Sequence, residues 1–144
     1  MLIVSVLGAS GASAASAIGL AAATVFAARR GTRRIVVEGR SMTPAFEPGD
    51  RLLVLRLPRA WPLKPGDVVA LADPRAPDRL LVKRVATTDG AQVTVTGDNA
   101  AESTDSNSFG PVERSGIWGL VVYRYAPAGR TGGIGRWGFR YRPV

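Results

Sequence analysis

Proline and glycine cut residues 35–125 into short apolar runs, and that punctuation decides what the chain can fold into. Ten prolines and seventeen glycines stand among 144 residues, too many breakers for long amphipathic helices. The runs between them are wholly apolar or alternate with period two, as strands do. Residues 35–38 read as a short strand, and 51–57 as a strand buried on both faces. Residues 67–71 follow the turn Lys64-Pro65-Gly66-Asp67. Residues 79–86 follow a loop over 73–78 that holds Pro74 and Pro77. Asp89-Gly90 is a hairpin signal, and residues 92–96 return from it. Residues 97–110 are a polar loop, and 117–125 form a last strand. The expected fold is mainly β: a small coiled antiparallel β-domain of six short strands.

Residues 2–28 carry no charge. A run of this length crosses the roughly 30 Å hydrocarbon layer of a bilayer as one helix, so we expect an N-terminal transmembrane anchor. Gly8, Ser10, Gly11, Ala12 and Ala15 would let another helix approach closely. A cleaved signal peptide and a buried soluble helix are the alternatives. Val25-Phe26-Ala27 suits a cleavage site, but only the amino terminus supplies the positive charge that a signal peptide starts with. The expected organisation is an anchor with a basic flank over 1–34, a β-domain over 35–125, and a basic Gly/Arg-rich tail over 126–144.

The net charge of +8 lies at the two ends. Arg29, Arg30, Arg33 and Arg34 form one cluster; Arg124, Arg130, Arg136, Arg140 and Arg142 form another. The body between them is close to neutral. Basic ends beside an apolar segment suit anionic lipid head groups, so membrane lipids are an expected partner. A body without a basic stripe makes nucleic acid an unexpected one. Four arginines follow the apolar segment and none precede it, which by the positive-inside rule places the β-domain in the cytoplasm.

The chain has no histidine and no cysteine. That removes the Ser-His-Asp arrangement, thiolate catalysis and nearly all catalytic zinc sites, and no metal or cofactor is expected. A serine–lysine pair is almost the only nucleophilic chemistry left. Ser41 sits in the stiff turn Gly39-Arg40-Ser41-Met42-Thr43-Pro44, closed by Gly49-Asp50. Gly39 permits close backbone approach, and the turn leaves the Ser41 N–H free for an oxyanion. Met42 is placed to pack beside an amine and exclude water, and Pro44 stiffens the connection. Lys83 lies in an apolar run, with Leu81 and Val85 on its own face. Burial would lower its pKa toward that of a general base. The alternative is a lysine at a strand edge whose amine reaches solvent. The polar loop over 97–110 is either a surface loop of Asx turns or a set of carboxylates that order the site. Those carboxylates would pair with Arg84 or accept backbone N–H bonds.

Together three stretches resemble the type I signal peptidase family of membrane-anchored Ser–Lys proteases. They are Gly39-Arg40-Ser41-Met42-Thr43-Pro44 with Gly49-Asp50, then Val82-Lys83-Arg84-Val85, then Gly97-Asp98-Asn99 with Ser103-Thr104-Asp105-Ser106. The order matches the family's, and the resemblance spans about residues 35–123. It implies Ser41 as nucleophile, Lys83 as general base and later acid, and the Ser41 N–H as part of the oxyanion hole. Asp98, Asn99, Ser103 and Asp105 would support the site. It also implies the family's β-rich catalytic core, with a precursor polypeptide bound as an added strand.

Departures from the family pattern are informative. Some members carry a serine two positions before the nucleophile, and this chain has Gly39, so that oxyanion donor is missing or replaced. Asn107 stands where the family usually has arginine, which removes a salt bridge to Asp105. The resemblance implies removal of leader peptides from exported proteins by a single-pass membrane enzyme, cutting after small residues. Its catalytic domain would face the extracytoplasmic side, against the arginine asymmetry. A dedicated maturation protease of the same family is the alternative, such as the group that trims nickel superoxide dismutase. A non-catalytic membrane-tethered binding domain is the second.

Overall fold

A computed structural model describes residues 31–135, and the expected anchor over residues 2–28 lies outside them. Among the described residues no helix is long and apolar enough to cross a membrane.

Among the described residues eight strands form one antiparallel sheet: β1 (Thr32–Val36), β2 (Arg51–Arg56), β3 (Val68–Asp73), β4 (Ala76–Asp89), β5 (Gln92–Thr96), β6 (Val112–Glu113), β7 (Ile117–Ala126) and β8 (Gly132–Gly133). The order across the sheet is β1-β2-β7-β3-β4-β5-β6, with β8 also paired to β7. A four-residue helix, α1 (Ser106–Phe109), lies in the loop between β5 and β6. The mainly β, antiparallel expectation is met.

The sheet has a core on each face, because β3 is apolar on both. Val69 and Leu71 enter one cluster with Leu63, Val85, Val93, Val95, Val112, Ile117 and Leu120. Val68 and Ala70 enter the other, with Val37, Met42, Phe46, Leu52, Val54 and Val121. The strand expected to be buried on both faces, 51–57, is buried on one. Leu52 and Val54 are inside, while Leu55 is 37% exposed. Their face is covered by Met42 and Phe46 of the turn between β1 and β2, and among the described residues the Leu55 side of the strand is left partly open. Gly119 permits the close pairing of β2 and β7, since a Cβ there would lie 2.1 Å from the Leu55 carbonyl oxygen.

The loop expected over 73–78 is smaller than its prolines suggested. β4 begins at Ala76, and Pro77 lies where the β3–β4 register is irregular, between the Asp73↔Ala76 and Ala72↔Leu80 pairs. A proline without a ladder hydrogen bond to give is tolerated there. Asp73 closes the turn by accepting from the Arg75 N–H at 3.0 Å and from its guanidinium at 3.0 and 2.9 Å. The Asp89-Gly90 hairpin joins β4 to β5 as expected, with Asp89 paired to Gln92.

β5 pairs with β4 from Arg84 to Asp89 only. The Leu80–Val82 part of β4 therefore has β3 on one side and, among the described residues, no strand on the other.

Candidate active site

The turn that carries Ser41 hangs between β1 and β2 and is closed at its base. The Val37 N–H donates to the Asp50 carbonyl at 2.9 Å, and the Gly49 N–H to the Val37 carbonyl at 2.7 Å. Inside it, the Thr43 N–H and hydroxyl both donate to the Arg40 carbonyl, at 3.1 and 2.9 Å. The Phe46 N–H donates to Met42 at 2.8 Å. Met42 and Phe46 are 2% and 1% exposed in the core, so the turn is anchored by two apolar side chains four residues apart. Met42 thus packs into the cluster of Val37, Leu52 and Val54. Pro44 is exposed, after a cis peptide bond. At Gly39 a Cβ would meet nothing within 4 Å; the close approach expected there is not made by the chain itself.

Lys83 is 2% exposed. The solvent-reaching alternative is not the one adopted: Lys83 pairs with Val69 of β3, and its amine meets Ser103 of the polar loop. Its ammonium or amine donates to Ser103 Oγ at 3.0 Å. The Ser103 hydroxyl in turn donates to Asp105 Oδ2 at 2.7 Å. Burial pushes the Lys83 pKa below the ordinary lysine value of 10.5. The Asp105 charge works against that shift, and Arg75 and Arg79 add to it.

Asp105 is the fixed point of the polar loop. It accepts from the Gly97 N–H at 2.8 Å, the Asn107 N–H at 3.0 Å and Ser103. The Asn107 bond caps the N-terminus of α1. Burial pushes its pKa up, but these three hydrogen bonds and the Lys83 charge outweigh it, and the carboxyl ionises below its ordinary 3.8. Its ionised form therefore stabilises the fold above that ordinary value. That contribution is lost as pH falls through the depressed pKa. An arginine at position 107 is not needed to satisfy this carboxylate.

The two roles that the sequence left open for the loop's carboxylates are divided between two residues. Asp105 takes the backbone N–H bonds. Asp98 takes Arg84, whose Nε and Nη2 donate to its two oxygens at 2.8 and 2.7 Å. That fork ties β4 to the loop directly beside Lys83. Asn99 ties the loop to the turn. Its N–H donates to the Ser41 carbonyl at 3.0 Å, and its Nδ2 to the Thr43 hydroxyl at 3.0 Å and the Arg40 carbonyl at 3.3 Å.

Gly97 is where the three stretches meet. A Cβ on it would lie 2.1 Å from Ser103 Oγ and 2.6 Å from the Ser41 carbonyl oxygen. The residue is a glycine because the partner of Lys83 and the backbone of Ser41 share the space a side chain would need. Its place in Gly97-Asp98-Asn99 was visible in the sequence, but the reason was not. Packing at Gly97 and the hydrogen bonds around it thus link the Ser41 turn, Lys83 and Arg84 of β4, and Asp98, Asn99, Ser103 and Asp105 of the loop. Among the described residues no group of three His, Cys, Asp or Glu side chains is placed to hold a metal ion.

Comparison with known proteins finds the same region. A family model described as "Signal peptidase, peptidase S26" matches residues 11–96, a stretch that includes Ser41 and Lys83. Subunit 2 of the mitochondrial inner membrane protease of Schizosaccharomyces pombe is 36% identical over 132 residues, covering 75% of this chain and 72% of that protein. The corresponding subunit of Mus musculus is 33% identical over 99 residues, covering 53% and 57%. Subunit 1a of the mitochondrial ATP-independent inner membrane protease of Arabidopsis thaliana is 33% identical over 115 residues, covering 63% and 68%.

Proposed function

The chain belongs to the signal peptidase family, peptidase S26, and is a peptidase; from that premise we propose that it removes N-terminal leader peptides from precursor proteins at a membrane, using Ser41 and Lys83. The observation that carries this reading is the Lys83 amine, buried and held by Ser103 beside the glycine that the Ser41 backbone crowds.

The chemistry follows from that placement. A neutral amine has one lone pair, and the N–H given to Ser103 steers that pair away from Ser103. Lys83 takes the Ser41 hydroxyl proton as Ser41 Oγ bonds to the scissile carbonyl carbon. The carbonyl electrons move to oxygen, and the Ser41 N–H donates to that oxyanion. The C–N bond then breaks as the Lys83 ammonium returns its proton to the leaving amine, and Ser41 is left as an acyl ester. Water repeats the cycle. Its proton goes to Lys83, its oxygen bonds to the ester carbon, and Ser41 leaves with the proton from Lys83. Gly39 has no hydroxyl to offer the oxyanion, so the Ser41 N–H carries more of that stabilisation.

The precursor would lie along the side of β4 over Leu80–Val82 that no described strand occupies, adding one strand to the sheet. Such binding reads backbone first. It leaves preference to the side chains that point toward the site.

Two results test this reading. The kcat/KM for a precursor peptide should rise with pH along a single limb centred below 10.5, because only neutral Lys83 accepts a proton and burial lowers its pKa. A limb at 10.5 or above would count against Lys83 as the base. The same shift makes the charged form costly to the fold below the lowered pKa. That cost fades as pH rises toward 10.5.

The second result is choice of substrate. The full chain in detergent should cut a secreted-protein precursor after a small residue and leave a nickel superoxide dismutase precursor intact. The reverse pattern would favour the dedicated maturation protease. The relatives are named as inner membrane protease subunits, which supports a membrane location and the general leader-processing reading.

A further inference from the structure

The Ser41 turn is held from two sides. Asn99 holds one limb, through Arg40, Ser41 and Thr43. The other limb is held by residues that the peptidase chemistry does not use. Asp50 closes the turn and its side chain is 2% exposed. One oxygen, Oδ2, accepts from the Glu47 N–H at 3.0 Å and from Arg124 Nη1 at 3.1 Å, and forms an ion pair with Arg130 Nη2 at 3.2 Å. Arg124 Nη1 also donates to the Ala45 carbonyl at 2.9 Å, and its Nε donates to the Arg130 carbonyl. The same guanidinium lies 5.9 Å from the centre of the Phe46 ring.

β7 is shaped to deliver this arginine. Arg51 pairs with Ala126 but Leu52 pairs with Arg124, so Tyr125 is an extra residue on β7. A bulge of this kind re-aims a neighbouring side chain. Arg130 follows on the short helical turn Ala128–Arg130, and β8 then returns to β7 through Tyr123↔Gly133 and Arg124↔Gly132. The segment after β7 is thereby fastened to the strand that carries Arg124.

We infer that Asp50, Arg124 and Arg130 are positioning residues for Ser41, locking the closing limb of its turn so that Ser41 is held in attacking position. The inference rests on Ser41 being the nucleophile. Arg124 ties together the Ala45 backbone, the Phe46 ring and the Asp50 carboxylate. Lysine has no planar fork that reaches all three. Without Arg124, Phe46 and the partly buried Ala45 still pack on the core, but the Ala45 carbonyl loses its hydrogen bond and Asp50 one guanidinium partner, beside the exposed Pro44. A displacement near 1 Å of a reacting group costs about a hundredfold in rate.

The test uses the full chain in detergent, a precursor peptide, and the variants Ser41→Ala, Arg124→Gln and Arg130→Gln. Arg124→Gln is expected to lower kcat about a hundredfold, with KM within about twofold and an unchanged pH limb, since Lys83 is untouched. Arg130→Gln, at the more exposed of the two arginines (34% against 17%), is expected to lower kcat about fivefold with KM again unchanged. It decides the matter if Arg124→Gln fails to fold. Wild-type kcat in a folded variant would overturn the inference. So would a loss that matches the unfolded fraction by circular dichroism, or one that appears in KM alone. Activity surviving in Ser41→Ala would instead overturn the nucleophile assignment beneath it.

Discussion

Replacing Lys83 by methionine abolishes cleavage and leaves the chain folded. Methionine nearly matches the lysine stem in volume and carries no charge. Position 83 is 2% exposed, and burial disfavours the ammonium there. Removing the ammonium relieves its burial cost, while Asp105 loses a favourable charge, so the two effects offset. Asp105 keeps its bonds from Gly97, Ser103 and Asn107, so the loop stays ordered. What disappears is the proposed base. Loss of a general base costs about 10²–10⁴ in rate, and when base and nucleophile act as a unit the loss approaches about 10⁶. Thermal denaturation beside initial rates separates the two effects. A Lys83→Met chain that unfolds would mean that the lysine is structural.

Gly97→Ala should damage both the fold and the activity, for a reason confined to one methyl group. The added Cβ would fall 2.1 Å from Ser103 Oγ, 2.6 Å from Ser103 Cβ and 2.6 Å from the Ser41 carbonyl oxygen. Ser103 holds Lys83, and the Ser41 carbonyl accepts from Asn99. Neither can retreat without releasing its partner. Overpacking of this kind costs about 1–3 kcal/mol, and the accompanying misplacement lowers kcat about a hundredfold or more. Gly116→Ala is the control, since a Cβ there meets nothing within 4 Å. Equal effects from the two substitutions, read by melting temperature and kcat, would show that crowding at Gly97 is not the cause.

Why some of this was readable and some not comes down to range. Ser41 and Lys83 could be singled out as the proposed nucleophile and base because a chain without His or Cys leaves few nucleophilic arrangements, and the three stretches stand in the family's order. Strand alternation placed apolar neighbours on the Lys83 face, but it could not tell a buried amine from one reaching solvent. That depends on distant partners, Val69 in the neighbouring strand and Ser103 in the polar loop. The polar loop could not be told from a surface loop on its residues alone, because its order comes from pairing at a distance, Asp98 with Arg84 and Asn99 with Ser41.

Local signals also misled in two places. Pro74 and Pro77 suggested a longer break than the irregular register of β4 required. The apolar run after Arg51 suggested burial on both faces, whereas a strand's burial depends on what lies over it, and Leu55 has little. Arg124 and Arg130 read as part of a basic cluster. Their tie to Asp50 spans 74 residues or more, and no local pattern announces it.

The account stands on Ser41 as the atom that takes the acyl group. A peptide ester, whose acylation outruns hydrolysis, should load the enzyme during turnover. Acid quenching followed by peptide mapping in a mass spectrometer would locate the acyl group. It should be found on Ser41 in the wild type, and formed at least about a thousandfold more slowly in Lys83→Met. An acyl group on any other residue, or an unchanged turnover rate in Ser41→Ala, would contradict it.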